Sequence, residues 1–190
     1  NITSGEGGAV VTNDKFIAEY VKDARLLGVH KDTEKRYKGL RSWEFEVICQ
    51  GYRFHMSNLF AAIGITQLCR FENEFMPKRR TIAKKYHKEL SGMQDLALFE
   101  DDYNQIVPHI FPLKVLNDKR NSLMRHLTDN NIECGIHYYP NHLLKFYGSL
   151  RGELPVTENI YKQLLTLPIH PDLTDDQQTK IIKCIKEPLH

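Results

Sequence analysis

Two histidines stand close together in a polar segment that could bind a ligand. Residues 137–142 read His-Tyr-Tyr-Pro-Asn-His, and the residues before them predict a strand over 132–138 that stops at Pro140. Side chains at the end of a strand are held by the scaffold and can still reach a cleft. The segment therefore indicates either a ligand site or histidines that only satisfy backbone groups, and the pattern leaves both open.

A metal site is not predicted in this segment. His137 and His142 are separated by Pro140, so they do not share a helix face, and no cysteine or carboxylate lies at a familiar ligand spacing. The cysteines are far apart and form no C-x-x-C pair, which predicts free, buried thiols in a reducing, cytoplasmic setting. They are Cys49, Cys69, Cys134 and Cys184.

A glycine-rich segment opens the chain. Gly5, Gly7 and Gly8 precede the residues Ala-Val-Val-Thr at 9–12, which predicts a turn that leads into a short strand. Such glycines allow a backbone to wrap closely around a phosphate, but they are equally typical of a plain turn before a strand.

Composition excludes several functional classes. The chain has 190 residues, 26 Lys and Arg against 24 Asp and Glu, and 41% hydrophobic residues. These values are typical of a globular protein and argue against disorder, and no apolar run is long enough for a membrane span. The near-neutral charge gives no overall field for nucleic acid, and the basic run from Lys31 to Arg41 is expected to be an exposed loop. The sequence contains no G-x-S-x-G, Walker A, H-E-x-x-H or G-x-G-x-x-G motif.

Helices and strands are predicted to alternate. Apolar spacing and caps predict helices over 14–27, from Ser57 to 71, from Pro77 to 90, over 117–130 and from the Thr174 capping box. The helix after Ser57 contains small and large apolar residues all round, which predicts close packing on several sides. A strand is predicted over 106–115, at an edge or bulge because of Pro108 and Pro112. The result is an α/β chain.

Three segments, in order, resemble the DegT-type family of sugar aminotransferases. The first is 1–12; the second is Gly-Tyr-Arg-Phe-His-Met-Ser-Asn-Leu at 51–59 with the helix that follows and Arg79, Arg80 and Tyr86. The third is Gly-Ile-His-Tyr-Tyr-Pro-Asn-His at 135–142, continued by Tyr147, Leu-Pro at 167–168 and Pro-Asp-Leu-Thr-Asp at 171–175. Together they cover nearly the whole chain.

The resemblance implies fold type I of the enzymes that use pyridoxal 5′-phosphate (PLP). Residues 1–75 would be the last part of the large cofactor domain, and 76–190 the small C-terminal domain. The catalytic lysine would come immediately before Asn1, preceded by roughly 180 further residues, so this chain contains no residue assigned to the proton transfers.

The resemblance also implies roles for five residues. Arg53 and His55 would contact the cofactor of a neighbouring subunit in a homodimer, although the family usually has Asn and Arg at these positions. His137, Tyr138 and His142 would line the sugar end of the pocket, and the basic run from Lys31 to Arg41 could reach a nucleotide diphosphate.

The resemblance predicts an enzyme that moves an amino group, with glutamate as donor, to a nucleotide-linked keto sugar for polysaccharide or glycoconjugate precursors. Two alternatives stay open. A histidine in place of the catalytic lysine would indicate a PLP-dependent sugar dehydratase, and a chain without the upstream domain would be a non-catalytic binding or assembly module.

Overall fold

The computed structural model describes residues 1–31, 35, 38–40, 45–150 and 153–189, with the backbone alone at 149 and 150. It contains two compact units: an N-terminal unit, Ile2–Cys69, and a C-terminal unit, Asn1 with Arg70–His190. The division falls a few residues before the predicted boundary between 75 and 76. The assignment of the units to a cofactor domain and a small domain stays a prediction.

The N-terminal unit contains two capped helices, α1 (Lys15–Ala24) and α2 (Asn58–Arg70), the last residue of which belongs to the other unit. The Asp14 carboxylate caps α1 by accepting from the backbone N–H of Phe16 at 2.7 Å. The Ser57 hydroxyl accepts from the N–H of Phe60 at 3.2 Å. Both helix starts confirm the sequence prediction, because a cap is a local signal that the sequence carries in full.

The apolar sides of both helices are largely exposed. Within the described residues no side chain of α2 is buried, and Leu59 is 79% exposed. The predicted packing of α2 on several sides is therefore wrong for this structure, since the described residues lie against one side of it, where the segment 3–5 approaches Phe60, Gly64 and Gln67.

The segment 9–12 is wrongly predicted as a strand. Its residues form no ladder in the described part of the chain, and Val10 and Val11 are exposed. A β-branched run needs a neighbouring strand to complete its hydrogen bonds, and none of the described segments lies beside it. In the basic run, Lys31 and Lys38 are exposed, whereas Arg36 and Arg41 fall outside the described residues.

The C-terminal unit contains a three-stranded antiparallel sheet with helices around it. The sheet has the order β1 (Leu96–Leu98), β2 (Phe111–Val115) and β3 (Leu164–Leu167). The helices are α3 (Met76–Leu90), which follows a π-helical turn at Phe71–Phe75, α4 (Arg120–Asp129), α5 (Pro155–Gln163) and α6 (Asp175–Lys186). Short 3-10 turns span Asn141–Leu143, Lys145–Leu150 and Glu187–Leu189.

Strand β2 lies in the centre of the sheet, so its predicted position at an edge is wrong. Pro112 pairs with Thr166 of β3, whose backbone N–H and C=O bond instead to Gly135. Pro112 and Thr166 therefore form a pair that exchanges no backbone hydrogen bonds. On the other side of β2, the position opposite Pro112 lies past Leu98, the last residue of β1, so no strand there needs an N–H from residue 112. A central strand tolerates this proline because no ladder bond is lost there.

The predicted strand over 132–138 is reduced to one bridge between Gly135 and Thr166, with bonds of 2.7 and 3.1 Å. The short strands β1 and β3 and helix α5 were not predicted. The alternation of helix and strand holds, but the strands pair antiparallel.

Helices α3, α4 and α6 close one core against the sheet, and their stripes agree with the sequence prediction. The buried cluster takes Tyr86 and Leu90 from α3, Leu123 and Leu127 from α4, and Ile181, Ile182 and Ile185 from α6. The Thr174 capping box is present in full. The prediction of buried cysteines holds for Cys184, whereas Cys69 is exposed. No helix in the described part of the chain is both long and apolar enough to cross a membrane.

Candidate functional site

The N-terminal unit contains a cavity of about 570 Å³ between the glycine-rich segment and the segment after Gly51. Its wall is mainly apolar, with Val21, Phe54, Met56 and Phe60. The polar residues that line it are Glu6, Arg25 and His55, and residues 7–10 complete it.

Two glycines bring the walls of this cavity together. A Cβ at Gly51 would lie 1.9 Å from the backbone nitrogen of Gly28, and a Cβ at Gly28 would lie 2.1 Å from the carbonyl oxygen of Cys49. The backbones at Gly28 and Gly51 thus cross in close contact. Next to this crossing, the Phe54 N–H donates to the Arg25 carbonyl at 3.0 Å. The close approach holds residues 52–54 beside the end of α1, and only glycine fits at the crossing.

The glycine-rich segment folds back over the start of α2. Gly5 has a φ of +85°, and a Cβ there would lie 3.2 Å from the Phe60 ring; Gly7 has a φ of +150° beside the Met56 side chain. The Thr3 N–H donates to the Gln67 side chain at 3.3 Å. The segment is thus anchored on α2, and its residues 6–10 line the cavity.

The donor set of this cavity fits a phosphate group. Arg25 offers a planar guanidinium, His55 an imidazole, and the segment around Gly7 and Gly8 backbone N–H groups, all of which bind oxyanions. Arg53 is exposed and is not among the lining residues; its backbone bridges Leu26. The structure thus brings His55 into the cavity, together with Arg25, which the sequence reasoning missed.

A second, smaller cavity of about 350 Å³ lies at the end of β3 in the C-terminal unit. His137 lines it, and its Nδ1 lies 3.0 Å from the hydroxyl oxygen of Thr166, which fixes the ring. Burial raises the pKa of the Cys134 thiol in the same wall, and Glu133 adds to the effect, so this thiol stays neutral. The lining set is His109, Ile110, Glu133, Cys134, Gly135, His137 and 166–169.

Arg79 supports the rim of this second cavity. One guanidinium nitrogen donates to the carbonyls of Pro108 at 3.3 Å, His109 at 3.4 Å and Ile169 at 3.0 Å. Burial lowers the pKa of Arg79, yet it stays cationic because guanidinium starts from so high a value. One side chain thereby ties together two segments that line the cavity.

The other two predicted sugar-binding residues lie outside this second cavity. Tyr138 is exposed, and its ring contacts the His137 ring edge-on with centroids 4.8 Å apart. His142 is mostly buried, and its Nε2 lies 3.1 Å from Glu158. The structure therefore groups His137 with Tyr138, while His142 pairs with helix α5. Thr166 was missed because β3 itself was not predicted, and His109 was not singled out although it lies in the predicted strand over 106–115.

Comparison with known proteins places the whole chain in one family. The sequence profile of the DegT/DnrJ/EryC1/StrS aminotransferase family matches residues 1–186. The chain is 36% identical to MJ1066 of Methanocaldococcus jannaschii, whose description gives no function, and 30% identical to the spore coat polysaccharide biosynthesis protein SpsC of Bacillus subtilis. Each alignment covers 98% of this chain and 50% of the relative, so the chain spans about half the length of these curated proteins.

The solved structure of the sugar aminotransferase CalS13 from Micromonospora echinospora resembles the chain with a TM-score of 0.83 at 26% identity. The likeness covers 97% of this chain and 48% of CalS13. The fold is that of the PLP-dependent transferases of fold type I, of which these residues form about half. With its sequence and its fold in agreement, the chain belongs to the DegT/DnrJ/EryC1/StrS aminotransferase family.

Proposed function

We propose that the protein acts as a PLP-dependent aminotransferase that moves the amino group of glutamate to a nucleotide-linked keto sugar. The proposal is carried by the donor set of the N-terminal cavity, whose chemistry suits a phosphate, in a chain that belongs to an aminotransferase family. The names of SpsC and CalS13 support a sugar as acceptor, since one refers to polysaccharide biosynthesis and the other to a sugar aminotransferase. The four free cysteines support a cytoplasmic setting.

Aminotransferases of this family use PLP, which supplies an electron sink for the transfer of the amino group. In this chain Arg25, His55 and the backbone at Gly7 and Gly8 would hold its phosphate. The Arg25 guanidinium and the His55 imidazole would donate to the phosphate, and Phe54, Met56 and Phe60 would form the apolar wall beside it. Glu6, at the same cavity, would point its carboxylate toward a cationic or hydroxyl group rather than the phosphate.

The sugar would be held by the C-terminal unit. His137, fixed at Nδ1 by Thr166, would present Nε2 to a sugar hydroxyl, and the exposed ring of Tyr138 offers an apolar face to the pyranose. His142 would act through Glu158, because their contact fixes the turn that follows Pro140. Arg53 is exposed and does not line the cavity of its own subunit, and it would contact the cofactor of the neighbouring subunit.

A homodimer with the site at the interface agrees with the exposed apolar surface of the N-terminal unit. Phe16 and Leu59 are both 79% exposed, and Ile65 and Leu68 are exposed on the same helix as Leu59. An exposed apolar surface of this kind marks an area that is covered in the assembled protein.

The test uses the full-length protein with PLP, glutamate and a nucleotide-linked 4-keto sugar. We expect one 2-oxoglutarate per amino sugar formed. Arg25→Gln and Arg53→Gln should each weaken PLP retention by about tenfold or more through loss of one charge-assisted contact, while Lys15→Gln on the exposed side of α1 should not.

Other outcomes would contradict the proposal. Loss of a sugar hydroxyl without 2-oxoglutarate would indicate the dehydratase, and failure to bind PLP or sugar would indicate a module without catalysis. Unchanged PLP retention in Arg25→Gln would show that the N-terminal cavity does not hold the phosphate.

A further inference from the structure

A histidine, a cysteine and a glutamate meet at the end of α6, and none of the three lines either cavity. The Nε2 of His126, the Sγ of Cys184 and a carboxylate oxygen of Glu187 lie within 4.8 Å of one another. Cys184 and Glu187 are three residues apart, which places them on one side of the helix end, and His126 comes from the last turn of α4.

The imidazole of His126 has an unsatisfied nitrogen. Its Nε2 is buried and has no hydrogen-bond partner among the described residues; the nearest carboxylate oxygen, on Glu187, is 3.7 Å away. A buried polar nitrogen without a partner is costly, and such an atom calls for an explanation by an ion or a water. The neighbouring thiol of Cys184 is buried as well, at 6% exposure.

We propose that these three side chains bind one Zn²⁺ ion. Thiolate, imidazole and carboxylate together suit a borderline-soft ion that accepts S, N and O ligands, whereas a thiolate does not suit Mg²⁺ or Ca²⁺. Tetrahedral metal bonds of about 2.0–2.3 Å place neighbouring ligand atoms about 3.4–3.6 Å apart. The gap of 3.7 Å between His126 and Glu187 is already close to this value.

Closing the site requires the three ligand atoms, which lie within 4.8 Å of one another, to move closer together. The Glu187 side chain is half exposed and can turn toward the ion, and the Lys183 ammonium, 3.9 Å from the same carboxylate, is largely exposed and can move away. Three protein ligands leave a fourth position for water. The ion would link α4 to the end of α6 and is independent of the proposed cofactor site.

The experiment measures Co²⁺ binding to the intact protein, without PLP or sugar. Bound Co²⁺ should give a thiolate charge-transfer band and the visible bands of a tetrahedral site, and Zn²⁺ should displace it at one equivalent. Cys184→Ser should abolish the charge-transfer band, and His126→Asn and Glu187→Gln should each weaken affinity by about tenfold or more.

Two matched controls separate the site from general effects. Cys69→Ser removes an exposed thiol and should leave the band unchanged. His87→Asn removes a histidine whose Nε2 lies 3.8 Å from Glu100, a pair similar to that of His126 and Glu187 but without a cysteine. This variant should bind Co²⁺ as the wild type does.

A wild-type protein that gives no thiolate band, or a band that survives in Cys184→Ser, would overturn the proposal. Should Cys184→Ser lose its fold, the exposed Glu187→Gln variant decides: unchanged Co²⁺ affinity in that folded variant would equally overturn it. Zn²⁺ should also raise the thermal midpoint of the wild type by roughly a few degrees, because the ion binds only the folded state. The midpoint of Glu187→Gln should rise by less.

Discussion

The two units of the chain differ in how much of their apolar surface they bury. In the N-terminal unit the buried hydrophobic residues of the described chain are Ala24 and Leu26, while the C-terminal unit encloses a continuous core from Ile82 to Ile185. Folding needs buried apolar area to offset the lost chain entropy. The C-terminal unit therefore has its own source of stability, and the N-terminal unit depends on surfaces that cover α1 and α2.

The largest expected difference between the units is in the loss of stability when a leucine side chain is truncated. Leu113 in β2 is fully buried, so Leu113→Ala should lower the free energy of unfolding by about 2–5 kcal/mol. Leu59→Ala on α2 should change the stability of the C-terminal unit by less than about 0.5 kcal/mol. Urea unfolding of the intact protein, followed by hydrogen exchange in each unit, gives both values.

The same pair of variants should differ in assembly. Leu59→Ala should weaken self-association, measured by analytical ultracentrifugation, if α2 lies in the proposed dimer interface. An equal loss of stability in both variants would show that α2 is as well packed as β2 and would remove the contrast between the units.

The next largest effect is expected from a backbone clash at Gly51 in the N-terminal unit. In Gly51→Ala the added Cβ meets the backbone of Leu27 and Gly28, so the crossing beside the N-terminal cavity must open. We expect at least about tenfold weaker PLP retention, with the unfolding of the C-terminal unit unchanged. Gly64→Ala is the control, because Gly64 does not line the cavity and a Cβ there would make only an ordinary contact, 3.5 Å from the Ser4 Cβ. Equal PLP retention in the two variants would contradict this account of the crossing.

Helix caps offer a smaller comparison between the units. The Thr174 hydroxyl accepts from the N–H of Gln177 at 3.2 Å and starts a helix with a buried face. Thr174→Ala should lower the free energy of unfolding by about 1 kcal/mol. Ser57→Ala removes a similar bond from α2, and because α2 buries no described side chain, its effect should be limited to faster amide exchange in the first turn. Similar global losses in both variants, read from urea titrations, would refute this difference.

The smallest effect concerns acid stability in the C-terminal unit. Asp95 accepts hydrogen bonds from Lys119 at 2.6 Å and Asn117 at 2.7 Å, and these lower its pKa below the ordinary 3.8. A lowered pKa stabilises the fold above pH 3.8, and this contribution is lost as the pH falls below that value. The gap in thermal midpoint between wild type and Asp95→Asn should therefore narrow in acid. A gap that stays constant down to pH 2, about two units below that onset, would contradict it.

Local signals in the sequence proved more reliable than signals that depend on pairing. The start of α1 at Asp14, the caps at Ser57 and Thr174 and the apolar stripe of α3 were all predicted, since each depends on residues within a few positions. The strand at 132–138 and the edge position of β2 were wrong, because they depend on which segment lies alongside. Pro112 is the clearest case. It predicts an edge or bulge, yet it lies in the central strand, because its pair residue Thr166 forms its backbone hydrogen bonds with Gly135 instead.

The family and its fold were predicted from three short segments and are confirmed, whereas the site was only partly foreseen. His55 and His137 do line cavities, but Arg25 looked like an ordinary residue at the end of a helix, and its role depends on the crossing at Gly28 and Gly51. Neither His126 nor Cys184 stood out, because their closeness comes from the packing of α4 on α6. The roles assigned to Arg53, His55, His137, Tyr138 and His142 all stay predictions, and the role of Arg25 is a proposal.

The bridge between Gly135 and Thr166 also protects the sheet from unwanted growth. An outer strand with open N–H and C=O groups invites another chain to add itself, which is a route to aggregation. Here the Gly135 backbone occupies both groups of Thr166 in the middle of β3, and β1, on the opposite side, has only three residues. Neither edge strand therefore offers a long row of unpaired backbone groups. We expect the C-terminal unit to resist edge-to-edge aggregation even before the rest of the protein has assembled around it.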